Sequence, residues 1–208
     1  MGSGPDAVLS VLAVLSNPVE SDESKRHAAV WLKNWRTSPA SWGSAIVLID
    51  PQLPLGDNDR CFIASVLREC SRSMDLHPSL ILGFLEPVAL SLLAALCRGA
   101  LAVAHELAAT CATLAIRCHA WDVRDLIADL AAAFQRQAPV IQTWVQEQQQ
   151  QQQQQWQQQG DIDADAAQRS HTIPANYAPL AAMLWTLRFI ASEARSNKLV
   201  RGSMFEFI

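Results

Sequence analysis

The sequence predicts an all-α protein built as an α-solenoid of antiparallel helix pairs. Three observations predict it. Apolar residues recur at i, i+3, i+4 and i+7 along almost the whole chain, and strict alternation is hard to find. Alanine and leucine dominate, both strong helix formers, while only 8 of 208 residues are glycine. Helices pair through short polar or proline-bearing turns, and the pairs recur about every forty residues, the HEAT and armadillo period. A stack of such pairs forms an armadillo-like superhelix, expected here to be right-handed and free of sheet, in which each pair meets only its neighbours and the curved face is open to partners.

The elements follow in order. A first helix fits Asp6 to Ser16, closed by Asn17–Pro18. A second opens at Ser21, a good N-cap facing Ser24 with acids in the first turn, and runs to Thr37. Ala28, Trp31, Leu32 and Trp35 share its inward face. The third fits Ala40 to Ile49 and stops at a segment holding two prolines and a glycine. The fourth runs from about Asn58 to Met74, with Phe62, Val66, Leu67, Cys70 and Met74 facing inward. The fifth covers Leu80 to Cys97 and the sixth Ala100 to His119. The seventh starts near Asp122 and continues into the glutamines, with Pro139 expected to kink or split it. A last amphipathic helix spans about Asn176 to Arg195, with Leu180, Leu184, Leu187 and Ile190 on one side.

This divides the chain into helical repeats over 1–147, a Gln-rich low-complexity insertion over 148–175, and a continuing repeat over 176–208. Nothing in the glutamine tract can bury a core, so it reads as an extension in a helix-to-helix loop, helical at first. Trp156 within it is expected to be exposed and dispensable. The chain stops at "GSMFEFI", apolar to its last residue, which suggests an incomplete, N-terminal portion of a longer solenoid.

Composition narrows the function. A net charge of -4 gives no basic footprint for nucleic acid. The most apolar region, Leu80 to Ile116, is cut by Glu86, Pro87, Arg98, His105 and Glu106, so no membrane span is expected. The cysteines Cys61, Cys70, Cys97, Cys111 and Cys118 are odd in number and loosely spaced, as free buried thiols are. No phosphate-binding, dinucleotide, nucleophile-elbow or zinc-protease motif occurs. His105, Cys111, Cys118 and His119 lie on one helix, whereas structural zinc sites use closer pairs from separate elements. We therefore expect no catalytic residue, no cofactor and no metal.

The tryptophans remain. Trp31, Trp35 and Trp42 crowd one corner and attach no chemistry; each is read as filling the wedge where one helix pair turns into the next, alongside Leu32 and Trp121 as structural core. "ASWGSAIVLI" and "AWDVRDLIADL" echo each other as Trp-led helices with an apolar stripe.

The stretch "ESDESKRHAAVWLKNWRTSPASWGSAIVLI", Glu20 to Ile49, resembles the opening of the importin-beta superfamily of nuclear transport receptors, closest to the transportin-SR and importin thirteen branch. Ala28 or Ala29, Trp31, Leu32, Ser38 and Trp42 occupy the places of its alanine, aromatic, leucine, serine and Trp-led helix. "HELAATCATLAIRCHAW", His105 to Trp121, resembles the Leu-Ala-rich inner helix of the third repeat. The resemblance covers roughly Ala7 to Val145 and returns from Tyr177 to Ile208. It departs at the glutamine tract, and family members are several times longer.

The resemblance implies a convex first helix and a concave second helix in each pair. It implies a chain that shuttles between nucleus and cytoplasm, most naturally in import, and whose N-terminal repeats hold the Ran GTPase in its GTP form. Protein cargo would be gripped mainly by later repeats, and nucleoporins are further partners of the family. On this map the concave helices are Ser21–Thr37, Asn58–Met74, Ala100–His119 and about Asn176–Arg195. Helical-wheel geometry places Arg26, Lys33, Arg68, Arg72, Glu106, Thr113 and Arg117 away from the core faces, as candidates for partner contact. The alternatives are a cytosolic helical scaffold with no Ran connection and a helical enzyme that no motif announces.

Overall fold

The structure is a computed structural model describing residues 4–73, 78–118, 123–159 and 173–196, all of it helix and connecting turn, without a strand. Eight helices occur among these residues: α1 (Pro5–Ser16), α2 (Asp22–Arg36), α3 (Ser41–Leu48), α4 (Asp57–Ser73), α5 (Pro78–Arg98), α6 (Leu101–Cys118), α7 (Val123–Gln159) and α8 (Ala178–Ser196). The helix ends differ from those expected by one or two residues. The expectations for Met74, His119 and Trp121, and for the side chain of Trp156, lie outside what is described.

Local chemistry sets the boundaries. Ser21 caps α2 by accepting the Ser24 N–H at 3.1 Å, with Asp22 and Glu23 in the first turn and Lys33 and Arg36 in the last, so both ends suit the helix dipole. Gly99, at φ 73°, closes α5. Its N–H bonds Leu96 O at 3.1 Å and the Ala100 N–H bonds Ala95 O at 2.9 Å, the Schellman pattern. A left-handed residue there lets the chain reverse within two residues, so α5 and α6 run antiparallel and share the most extensive contact of the fold.

Pro139 does not split α7, which runs as one helix through it; Pro87 likewise lies inside α5. Each ring deprives the carbonyl four residues earlier of its donor. Those carbonyls belong to Gln135 and Gly83, both exposed residues, so water can take the donor's place and the helix continues.

Neighbouring helices pack in sequence pairs: α1 with α2, α3 with α4, α5 with α6, α7 with α8. Odd helices also touch in succession, α1 to α3 to α5 to α7, and even helices do the same, α4 to α6 to α8. α2 joins the even row through Trp35, whose ring centroid lies 6.3 Å from that of Phe62 on α4. Trp42 does the equivalent in the odd row, meeting Phe84 of α5 edge-on at 5.1 Å. Both tryptophans are almost fully buried, and neither indole N–H meets an acceptor. A buried tryptophan usually keeps its N–H at a wet edge or on a partner; here the packing excludes both. Trp31 is only half-buried against the core.

One core runs between the rows, from Val8 and Leu12 through Leu48, Ile63, Leu67, Leu92 and Leu107 to Leu130, Phe134 and Ile141. The helix expected over about Asn176–Arg195 is present as α8, but its inward face is not the leucine stripe. Leu180 is 61% and Leu184 59% exposed, while Ala178, Ala182 and Thr186 are fully buried. Small residues let α8 approach α5 and α6 closely; leucines on that face would hold it off.

Candidate functional site

The even helices carry most of the charge, and their side chains join one helix to the next. At the α2–α4 step the Arg36 guanidinium forms a two-pronged pair with Glu69, the Nε bond measuring 2.5 Å. The hydrogen bond from Arg36 holds the Glu69 carboxyl below its usual range. At the α4–α6 step Arg68 Nη1 lies 3.2 Å from Glu106, and Arg117 Nη1 donates to Ser71 O at 2.6 Å. At the α6–α8 step the His105 ring stands edge-on to Phe189 at 4.8 Å, and the Arg68 guanidinium lies 6.0 Å from the same Phe189 ring. The odd row has its own link, Arg136 Nε to Glu86 at 2.8 Å between α7 and α5.

These bonds sort the seven residues expected at the partner-facing surface. Arg26, Lys33 and Arg72 are exposed. Arg68 and Glu106 are half-buried and committed to each other, and Arg117 reaches back to a carbonyl of α4. Thr113 is buried, its hydroxyl donating to Ala109 O at 2.9 Å, so it offers nothing to a partner. The wheel placed these last four off the core face of their own helix, but Arg68, Glu106 and Arg117 bridge α4 and α6 there, and Thr113 is buried. The structure brings Arg68 and Glu106 together and leaves Arg26 apart from them.

Arg60 was not anticipated. It sits in the first turn of α4, only 5% exposed, where the helix dipole disfavours a cation. Its fork donates to the carbonyls of Asp50 at 3.0 Å, Pro51 at 3.3 Å and Leu55 at 3.2 Å, and also to Leu53. One side chain thus holds the whole α3–α4 connection. Burial lowers its pKa, with Arg98 nearby acting in the same direction. Arg98 in turn lies 5.4 Å from the Trp144 ring centroid, tying α5 to α7. A cation in the first turn beside Asp57 and Asp59 was the available signal.

Open clefts among the described residues include three on the helix rows. One of about 620 Å³ opens at the ends of α2 and α4, between Arg36, Pro39, Glu69 and Arg72. Another of about 340 Å³ lies beside α7, between Cys97, Gln142, Gln146, Gln149 and Asn176. The third, about 210 Å³, separates α6 from α8 and is lined by His105, Trp185, Arg188, Phe189 and Ser192. None assembles a nucleophile with a base and an orienting group. Burial raises the pKa of the Cys61, Cys97 and Cys111 thiols, which suppresses thiolate reactivity. Of the imagined zinc set, His105 is exposed, Cys111 is fully buried, and the other side chains lie outside those described; no group of three or more potential ligands occurs among the described residues. No helix among them is long and apolar enough to cross a membrane.

No known protein family, curated protein or solved structure matches this chain.

Proposed function

We propose that the chain is a HEAT-like α-solenoid that acts by binding another protein, and that its partner is the Ran GTPase in its GTP form, as part of a nuclear transport receptor that shuttles between nucleus and cytoplasm. The observation that carries the binding reading is the two-row packing, in which odd helices meet odd and even meet even. That order is what a stack of helix pairs requires, and the exposed charged face of its even row lies on α2 and the end of α4, since α6 is buried from Leu107 to Ala115. The Ran assignment rests on the resemblance of Glu20–Ile49 and His105–Trp121 to the importin-beta opening. Within that face, Arg26, Lys33 and Arg72 remain exposed for a partner. Arg68, Glu106 and Arg117 contribute by holding the even helices in register. Among the described residues, the three clefts gather no converging catalytic groups, and no reaction is assigned to them.

The deciding experiment is a pull-down of the longest natural form of the protein on GTP-locked and GDP-locked Ran. Recovery on the GTP form alone supports the reading, and the triple variant Arg26→Glu, Lys33→Glu, Arg72→Glu should reduce it mainly through the association rate. Equal recovery on both forms, or on neither, leaves a scaffold unrelated to Ran as the better reading.

A further inference from the structure

We propose that the outer edge of α8, together with the cleft between α6 and α8, docks a short acidic amphipathic helix of a partner protein. Tyr177, Leu180 and Leu184 are 59%, 61% and 59% exposed. Their spacing puts them on one stripe of α8, and Arg188, one turn beyond Leu184, continues the same edge. Arg188 is exposed and pairs with no carboxylate among the described residues. Next to it opens the 210 Å³ cleft floored by Trp185 and Phe189.

The charges around this edge decide the kind of partner. Among the described residues, Glu106 is the carboxylate beside the cleft's His105; it is occupied by Arg68 at 3.2 Å and lies 3.3 Å from His105 Nδ1. The rim is therefore a guanidinium and an imidazole over aromatic rings, with no free acid among the described residues to balance them. Apolar side chains match the stripe, and a carboxylate matches Arg188; a lysine-bearing segment would leave Arg188 facing a like charge.

Size argues against a second copy of this chain. Three side chains of this exposure form a patch of about 300–600 Å², the scale of a functional patch on a monomer. A stable symmetric dimer buries about 800 Å² on each side. From Tyr177 to Ser192 the edge is roughly 22 Å long at 1.5 Å per residue, which one partner helix of about four turns covers. This docking goes beyond the Ran reading and involves no nucleotide, so its test reads separately from the Ran pull-down.

The test uses the full chain and a fluorescein-labelled helical peptide about sixteen residues long, with leucines at helical spacing on one face and glutamates on the other, beside the same peptide with glutamines for glutamates. Fluorescence anisotropy should show saturable binding of the acidic peptide, at least tenfold weaker for the glutamine peptide. Arg188→Glu should weaken the acidic peptide at least tenfold and favour a version carrying lysines. Leu180→Ser with Leu184→Ser should abolish binding while circular dichroism stays unchanged, because both leucines are surface residues. Equal binding of the two peptides, indifference to Arg188→Glu, or no binding of the acidic peptide would overturn the proposal. So would a dimer in sedimentation that the double serine variant dissolves, since the stripe would then be a self-interface.

Discussion

α6 and α8 are both alanine- and leucine-rich even helices of similar length, 18 and 19 residues, yet they live differently. From Leu107 to Ala115 every residue of α6 is buried. Among the described side chains of α8, only Ala178, Ala182 and Thr186 are buried. The difference lies in neighbours. α6 is enclosed by α4, α5, α7 and α8, whereas α8 rests on α5, α6 and α7 and has no even helix on its far side among the described residues. A helix in such a stack is therefore apolar according to its place in the row. A leucine on it becomes core or surface by what lies next door.

The largest expected effect breaks the comparison open directly. Leu107→Ala and Leu114→Ala in α6 should each cost about 2–5 kcal/mol, because both side chains are enclosed and the cavity left behind cannot collapse freely. Leu184→Ala in α8 should stay within about 0.5 kcal/mol. Urea unfolding measures both. A Leu184→Ala loss as large as that of Leu114→Ala would mean that the leucine face of α8 is covered after all.

The helices themselves were legible because caps, prolines and the 3.6-residue period are local. Ser21 with Ser24, and Asn17–Pro18, fix α1 and α2 without tertiary help. The choice of face on α8 was not legible. Leu180, Leu184 and Leu187 keep helical spacing, and so do Ala178, Ala182 and Thr186; only the close approach that the small residues permit selects between the stripes. The candidate site was harder still. A wheel drawn on one helix cannot see that Thr113 is buried, or that Glu106 belongs to Arg68, 38 residues away. Arg60 could have been found by its dipole misfit, but its acceptors are carbonyls, which no sequence pattern marks.

Two arginines sharpen the contrast between enclosed and open sides. Arg60 lines the same small gap as Val103 and Leu107 of α6, with its fork spent on four loop carbonyls. Arg60→Met should cost about 2–3 kcal/mol, since four charged hydrogen bonds are lost and the carbonyls of Pro51 and Leu55 lose the donor that the arginine gives them. It should also speed proteolysis within the Asp50–Gly56 connection. Arg188→Met, on the open edge of α8, should leave stability unchanged within about 0.5 kcal/mol. Equal unfolding midpoints for the two variants would show that the loop holds itself without Arg60.

The smallest effect concerns the rim of the even row, where burial is too slight to make a charge pair strong. Arg36 and Glu69 are 36% and 54% exposed, so water screens them and their contribution should stay below about 1 kcal/mol. Its pH dependence still has a definite sign. The Arg36 hydrogen bond lowers the folded-state pKa of Glu69 relative to its unfolded value. The pair therefore stabilises the fold fully above about pH 5, and the benefit fades as pH falls through the folded pKa and the carboxylate takes its proton. Wild type and Glu69→Gln should thus differ slightly at pH 7 and converge on acidification, as read from urea midpoints at successive pH values. A difference that persists undiminished to pH 3 would assign the effect of Glu69 to packing rather than charge. If the variant matches wild type at pH 7, the α2–α4 step is held by Trp35 and Phe62 without help from the ion pair.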